Sequence, residues 1–276
     1  MATFEVAVAF SRTLFHLGGG SMNIKTFCMA RGIAYQEWNV TDSMVHKFYE
    51  ITNPGREQIV GIPDGCIDIQ CVWKSGRQYI SVCGSFVEGA VSKTGTYERC
   101  IGIKFNPGVV LECFQGRMEE IVNSRCKLEL LFRDTEQLLE IMRMELKLQE
   151  KAQILLRALR GRTIMQQHAL VPYMIQQIQV ARGYINIGEL VDSSGYSQRY
   201  TERIFKESIG FSVKKYAGII RMQNALNMLA DGEDNFGEIY EELGYYDQAH
   251  FIHEFKKFTM LTPYAYKNSA QEIVIV

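Results

Sequence analysis

The C-terminal third of the chain carries one short pattern twice, between residues 187 and 257, and this repeat constrains the fold most strongly. Each copy consists of a helical run, a glycine followed by an aromatic residue, a Ser or Asp, and a second helical run. Gly195 and Gly244 suit turns that need a positive φ, and Ser197 and Asp247 suit the N-caps of the helices that follow. The pattern therefore predicts two helix-turn-helix units within an all-helical region.

In such a unit the second helix enters the major groove of DNA, and side chains near its N-terminus meet base edges. We expect Ile204, Phe205, Phe251 and Phe255 to face the core, which leaves the remaining positions for DNA. The predicted DNA-binding residues are Gln198, Arg199, Glu202, Arg203 and Lys206 in the first unit, and Gln248, Ala249, Ile252, His253, Lys256 and Lys257 in the second. Arginine can pair with guanine, glutamine with adenine and glutamate with cytosine, whereas the three lysines suit phosphates.

Residues 187–267 resemble the DNA-binding domain of the AraC/XylS family of transcription regulators. The resemblance rests on Gly195-Tyr196-Ser197, Arg203-Ile204-Phe205-Lys206, Gly210-Phe211-Ser212, Arg221, Ala225, Leu243-Gly244-Tyr245, Phe251, Phe255-Lys256-Lys257 and Leu261-Thr262-Pro263. It implies that two units in one chain reach successive major-groove faces about 34 Å apart. It also implies double-stranded DNA and RNA polymerase as partners, and Arg221 on a helix that joins the units.

Four residues depart from the family pattern. Val191 and Tyr240 stand where a small alanine is usual between packed helices, Thr201 replaces an apolar residue, and Met260 replaces the glycine that ends the last recognition helix. We expect Tyr240 and Met260 to disturb the packing of the second unit.

The front of the chain, from about 33 to 112, is rich in short runs of β-formers separated by turn residues, which predicts a small barrel or sandwich. It resembles the cupin-like N-terminal domain of a subset of these regulators. The resemblance lies in Pro63-Asp64-Gly65-Cys66-Ile67-Asp68-Ile69, Cys83-Gly84 and Gly102-Ile103-Lys104-Phe105-Asn106-Pro107-Gly108. These motifs predict hairpins and identify no ligand; Asp64 and Asp68 fit a turn and a strand better than an acid–base pair.

A helical stripe follows, formed by Leu138, Ile141, Leu148, Ala152, Leu155 and Leu159 on one face of a predicted helix. This stripe either packs on the β-rich domain or forms a dimer seam, because the two patterns look alike in sequence. The sequence thus predicts an α+β multidomain chain. A β-rich sensory domain spans 22–126, a helical connector and candidate dimer element spans 127–172, and an all-α double helix-turn-helix domain spans 173–270.

Other functional classes find little support. The front domain offers only His16 and His46, too few for a catalytic cupin metal site, and no phosphate loop or nucleophile elbow appears. His250 and His253 have a spacing that could hold a metal, but a recognition-helix position explains them better. We therefore expect no catalytic residue, no metal and no cofactor.

Composition adds three expectations. All seven cysteines lie in the first half without a CxxC pair, which favours reduced and mostly buried thiols. No apolar run approaches the roughly 20 residues of a membrane helix, and the first residues lack the basic start of a secretory signal, so we expect a cytoplasmic protein. The Gly-rich stretch before Met22 leads to the hypothesis that Met22 is the true start.

These observations predict a sequence-specific DNA-binding transcription regulator that responds to a small-molecule effector and can form a homodimer. One feature argues against it: residues 173–276 contain 10 basic and 13 acidic side chains, whereas DNA-binding domains usually carry a basic surface. The alternative is a ligand-sensing or protein-interaction module whose DNA-binding helices are degenerate.

Overall fold

The computed structural model describes residues 28–29, 33–40, 44–53, 60–91, 97–128, 135–159, 163–165, 168–233 and 235–269. The strands are β1 (Cys28–Met29), β2 (Ala34–Asn39), β3 (Val45–Thr52), β4 (Val60–Gly61), β5 (Asp68–Lys74), β6 (Arg77–Cys83), β7 (Ala90–Val91), β8 (Arg99–Phe105), β9 (Val109–Leu111), β10 (Arg125–Lys127) and β11 (Thr163–Met165). The hypothesis about Met22 lies outside the described residues.

The helices are α1 (Thr135–Arg143), α2 (Leu148–Leu159), α3 (Leu170–Val180), α4 (Ile187–Ser193), α5 (Gln198–Ile209), α6 (Val213–Ala230), α7 (Phe236–Glu242), α8 (Gln248–Thr259) and α9 (Pro263–Ser269). Short 3-10 helices cover Glu112–Phe114 and Met118–Ile121. The predicted α+β division into a β-rich front and an all-helical back is therefore confirmed. The cupin-like assignment stays a prediction. Within the described ranges, no helix is both long and apolar enough to span a bilayer.

Six strands of the front domain, which we call the β-domain, form one antiparallel sheet in the order β10-β6-β5-β8-β3-β2. Side chains alternate between the two faces of a strand, and the two faces of this sheet differ in chemistry. One face is apolar and includes Phe48, Ile69, Val82 and Ile103, all buried. Helices α1 and α2 pack on this face, and their apolar residues share its core.

The described part of the predicted stripe therefore packs on the β-domain, and these side chains are not free to form a dimer seam. Its described side chains are buried, namely Leu138, Ile141, Leu148, Ala152 and Leu155. The expectation of one continuous helix is wrong, because residues 144–147 are not helical and separate α1 from α2. Hydrogen bonds stabilise the break: the Lys151 Nζ donates to the Met142 carbonyl (3.1 Å), and the Glu150 carboxylate accepts from the Lys147 amide (2.9 Å).

The opposite face of the sheet is polar yet buried. Lys47 and Lys104 are paired in register on β3 and β8 and are only 4% and 2% exposed. Lys104 forms ion pairs with Asp64 and with Asp68, whose Oδ1 lies 3.7 Å from the Nζ. As expected, Asp68 lies in a strand; Asp64 lies in the loop before it, where its Oδ1 accepts from the Cys66 amide (2.9 Å). The Tyr49 ring lies across Gly102, where a Cβ atom would be 2.0 Å from it, and its hydroxyl donates to Asp68 (2.8 Å).

The cysteine prediction is confirmed for four positions in the β-domain. Cys66, Cys71, Cys83 and Cys100 are free and buried, and burial raises the pKa of each thiol above its ordinary value. These thiols are therefore protonated and unreactive at neutral pH.

The helical domain has an apolar core around α6, with contributions from α3, α5 and α8, and Ile62 of the β-domain packs into the same core. Phe205, Phe251 and Phe255 are fully buried in it, as the sequence predicts, while Ile204 is half-buried at its edge. Leu170 and Val171 in α3 belong to this core, so α3 packs with the helix-turn-helix units that follow.

Candidate nucleic-acid interface

The first unit consists of α4, a tight turn and α5. Asn186 caps α4, and its side chain accepts from the Gly188 amide (2.9 Å). Gly195 has a φ of 74° in the turn. The Ser197 hydroxyl then accepts from the Tyr200 amide (3.3 Å) and begins α5. Both the positive φ and the cap were predicted from the sequence and are confirmed.

The second unit repeats this arrangement with α7 and α8. Asn235 caps α7 by accepting from the Gly237 amide (2.9 Å), and Gly244 has a φ of 65°. The Asp247 carboxylate accepts from the His250 amide (2.7 Å) and begins α8. Helices α5 and α8, which we call the recognition helices, thus begin with the same local structure.

The predicted DNA-binding side chains lie on the accessible sides of the recognition helices. Exposed residues are Gln198, Arg199, Arg203 and Lys206 on α5, and Gln248, Ala249, Ile252, His253 and Lys256 on α8; Glu202 and Lys257 are half-buried. Exposure is required of any side chain that meets a base edge. Their contacts with DNA remain a prediction.

The four departures from the family pattern are accommodated in different ways. Val191 is buried, and Tyr240 is half-buried against the apolar core, so the second unit packs around it. Thr201 is fully buried, and its hydroxyl has no hydrogen-bond partner among the described residues. Met260 adopts the left-handed conformation with a φ of 64° at the end of α8, where Gly210 stands at the end of α5.

Arg203 is held by two neighbours that sequence analysis did not single out. Its Nη1 lies 3.0 Å from the Glu207 carboxylate one turn along α5, and its guanidinium lies 5.2 Å from the centre of the Tyr200 ring. The Tyr200 hydroxyl in turn lies 2.8 Å from the His168 Nε2, and its ring stacks on Tyr196. These contacts fix the N-terminal half of α5 against the start of the helical domain.

Arg221 lies on α6, the helix that joins the two units, as the resemblance implies. Its guanidinium donates to the Gly183 carbonyl (3.2 Å) and reaches the Gly244 carbonyl in the turn of the second unit (3.5 Å). It also lies over the rings of Tyr184 and Tyr245. Arg221 therefore connects the end of α3 with the second turn.

The acidic excess of the helical region falls mainly outside the recognition helices. Glu238, Glu241 and Glu242 lie on α7, and the Glu242 carboxylate pairs with Arg182. Local field rather than net charge governs attraction to phosphates. The net charge is therefore compatible with a DNA-binding surface on α5 and α8.

Two carboxylates from the β-domain, which the sequence did not indicate, contact the recognition helices. The Lys206 Nζ lies 2.6 Å from Glu119, and the Lys257 Nζ lies 3.6 Å from Glu88. No local sequence pattern could indicate these pairs, because the partners are distant in the chain. Among the described residues, no cluster of His, Cys, Asp and Glu is arranged to hold a metal ion.

The helical domain is similar to known helix-turn-helix proteins. Residues 190–269 match the model of a helix-turn-helix domain family. The chain is 29% identical over 96 residues to an uncharacterised helix-turn-helix transcriptional regulator of Haemophilus influenzae, covering 35% of this chain and 32% of that protein. It is 32% identical over 100 residues to the F1 operon positive regulatory protein of Yersinia pestis, covering 36% and 33%.

The chain thus spans about a third of the length of these curated relatives. A solved structure of ToxT from Vibrio cholerae aligns over 88% of this chain and 98% of its own, at 9% identity and a TM-score of 0.41. A TM-score this low does not establish a shared fold.

Proposed function

We propose that this chain, whose residues 190–269 form an AraC-type helix-turn-helix domain, is a sequence-specific DNA-binding transcription regulator and not an enzyme. The observation that carries the proposal is the repeated unit itself. Two capped helices follow positive-φ glycine turns and expose polar side chains near their N-termini. A helix-turn-helix transcriptional regulator and an operon regulatory protein are among the proteins similar to this chain, which supports the same function.

We propose a role for each predicted position from the chemistry of its side chain. On α5, Arg199 and Arg203 pair with guanine, Gln198 with adenine and Glu202 with cytosine. On α8, Gln248 and His253 donate to or accept from base edges, and Ala249 and Ile252 offer apolar contact to a thymine methyl group. Lys206, Lys256 and Lys257 contact phosphates and set the affinity without specifying sequence.

The β-domain would supply regulation. An effector that binds one state of this domain better than another shifts the population of that state, and with it the placement of the recognition helices. The family resemblance motivates this role, together with RNA polymerase and a second copy of the chain as protein partners. The buried stripe on α1 and α2 leaves any homodimer to another surface.

The proposal is tested by selecting bound duplexes from random DNA with the full chain, and then titrating the best duplex at several salt concentrations. A DNA-binding protein loses affinity steeply as salt rises, because phosphate contacts release counterions. A degenerate module, the alternative function, gives no enriched sequence and no saturable binding at low salt.

Arg203→Ala then tests the assigned surface. Loss of a bidentate contact to guanine should weaken binding by about 1–3 kcal/mol and relax specificity at one position. The matched control is Arg182→Ala, which removes the same charge from an exposed arginine outside both recognition helices. Equal effects of the two substitutions would remove Arg203 from the interface.

A further inference from the structure

The β-domain contacts both recognition helices near their C-terminal ends. The Glu119 carboxylate lies in the 3-10 helix Met118–Ile121 and pairs with Lys206 on α5. The Glu88 carboxylate lies just before β7 and pairs with Lys257 on α8. One predicted phosphate-contact lysine on each recognition helix is therefore held by a carboxylate of the other domain.

Backbone contacts place these carboxylates. The Gly89 amide donates to the Lys257 carbonyl (3.0 Å), and a Cβ atom on Gly89 would lie 2.4 Å from the Phe258 carbonyl oxygen. At the other site a Cβ atom on Gly210 would lie 2.5 Å from Val122 and 2.9 Å from the Met118 carbonyl oxygen. At both sites the two domains are so close that any side chain larger than the hydrogen of glycine would clash.

A third contact joins the domains through α6. The Gln223 side chain is fully buried and donates to the Pro63 carbonyl (2.6 Å). The Tyr216 ring lies against Gly65, where a Cβ atom would be 2.6 Å away. These contacts hold the domains together, while the carboxylates beside the recognition helices remain more than half exposed.

We propose that Glu88 and Glu119 act as intramolecular competitors of DNA phosphates for Lys257 and Lys206, so that the docked β-domain lowers DNA affinity. The inference rests on the proposed function, because it assumes that these lysines contact phosphates. Exposed ion pairs are weak and are screened by salt. The strong negative field of a duplex can therefore displace them, yet each displacement reduces the observed affinity.

The test is the double substitution Glu88→Gln with Glu119→Gln in the full chain, measured on the selected duplex. An exposed ion pair contributes about 0.2–1 kcal/mol, so removing two competitors should tighten binding roughly 2- to 30-fold at low salt. The gain should shrink as salt rises. The matched control is Glu112→Gln with Glu120→Gln, which makes the same charge change at exposed sites in the β-domain that contact neither lysine.

A double-mutant cycle separates competition from general charge repulsion. In a Lys206→Ala, Lys257→Ala background the Glu88 and Glu119 substitutions should give no more than the control gain. A gain that persists without the lysines overturns the inference, as does an unchanged affinity in the chain that keeps them. A wild-type chain that binds no duplex removes the proposed function and this inference together.

A steric variant tests the same contact without changing charge. Gly89→Ala places a methyl group 2.4 Å from the Phe258 carbonyl oxygen and should force this part of the interface apart, raising DNA affinity. Gly61→Ala is the control, because among the described residues its methyl group would contact the Ala90 carbonyl oxygen alone, at 3.8 Å. Equal affinities of the two variants would contradict the inference.

Discussion

Lys104→Met should destabilise the β-domain far more than the same substitution at Lys47. Lys104 is almost fully buried, and its neighbours Asp64 and Asp68 are also shielded from water. Burial alone would lower the pKa of Lys104, but attraction to the two carboxylates raises it above its ordinary value. Removing one partner of a buried ion pair costs about 3–5 kcal/mol, because the remaining charge stays desolvated.

Lys47→Met is the matched control. Lys47 faces Lys104 across the two strands and is as deeply buried, but the side chain of its partner Glu37 is 35% exposed. Water can solvate that carboxylate once the ammonium is gone, so we expect a loss of about 1 kcal/mol.

Urea unfolding followed by tryptophan fluorescence measures both variants, because the two tryptophans of the chain, Trp38 and Trp73, lie in β2 and β5. Burial raises the pKa of Asp68, even though Lys104 opposes this, and without Lys104 the pKa rises further. A folded-state pKa above the unfolded value favours folding at low pH and loses this contribution as pH rises. The loss of unfolding free energy caused by Lys104→Met should therefore be larger at pH 8 than at pH 5. Equal losses of unfolding free energy in the two variants, or a loss from Lys104→Met that does not change with pH, would show that Lys104 is not held in a buried charge cluster.

Two further substitutions test the local structure of the recognition helices. Met260→Gly should raise the free energy of unfolding of the helical domain by about 1 kcal/mol, because Met260 has a positive φ that glycine adopts without strain. Met260→Ala is the control, since it keeps the Cβ atom and should give no such gain. Urea unfolding followed by circular dichroism measures both variants. Ser197→Ala should lower the same quantity by about 1 kcal/mol through loss of the α5 cap, and Asp247→Ala should do so at α8. A cap substitution without measurable loss would contradict this assignment.

The sequence predicted the helix-turn-helix units well because their determinants are local. A glycine with positive φ at 195 or 244 and a capping side chain two or three residues later act within one turn of chain. The buried phenylalanines follow from helical periodicity in the same way. Each of these features can be recognised without knowledge of the rest of the molecule.

The polar face of the sheet could not be predicted in this way. Lysine and aspartate alternating with apolar residues indicate a solvent-facing strand surface, whereas Lys104 and Asp68 are buried together on adjacent strands. The buried charge of Lys104 is also balanced by Asp64, which contacts it from a loop 40 positions earlier in the chain. The contacts of Glu88 and Glu119 with the recognition helices likewise depend on how the two domains dock.

The break between α1 and α2 was missed for a different reason. Neither glycine nor proline marks residues 144–147, and the apolar spacing continues across them. The interaction of Glu150 with the Lys147 amide is a local capping contact, but its sequence pattern is common inside helices as well. The apolar stripe therefore predicted the buried face correctly and the continuity of the helix incorrectly.

The proposed function requires α5 and α8 to enter successive major-groove segments of one duplex. Guanine-N7 methylation interference on the selected duplex measures this directly, since N7 lies in the major groove. We expect two interference patches with centres about 10–10.5 base pairs apart, of which Arg203→Ala weakens only one and His253→Ala only the other. A single patch, or a pattern that neither substitution changes, would show that the two helices do not bind the duplex in this way.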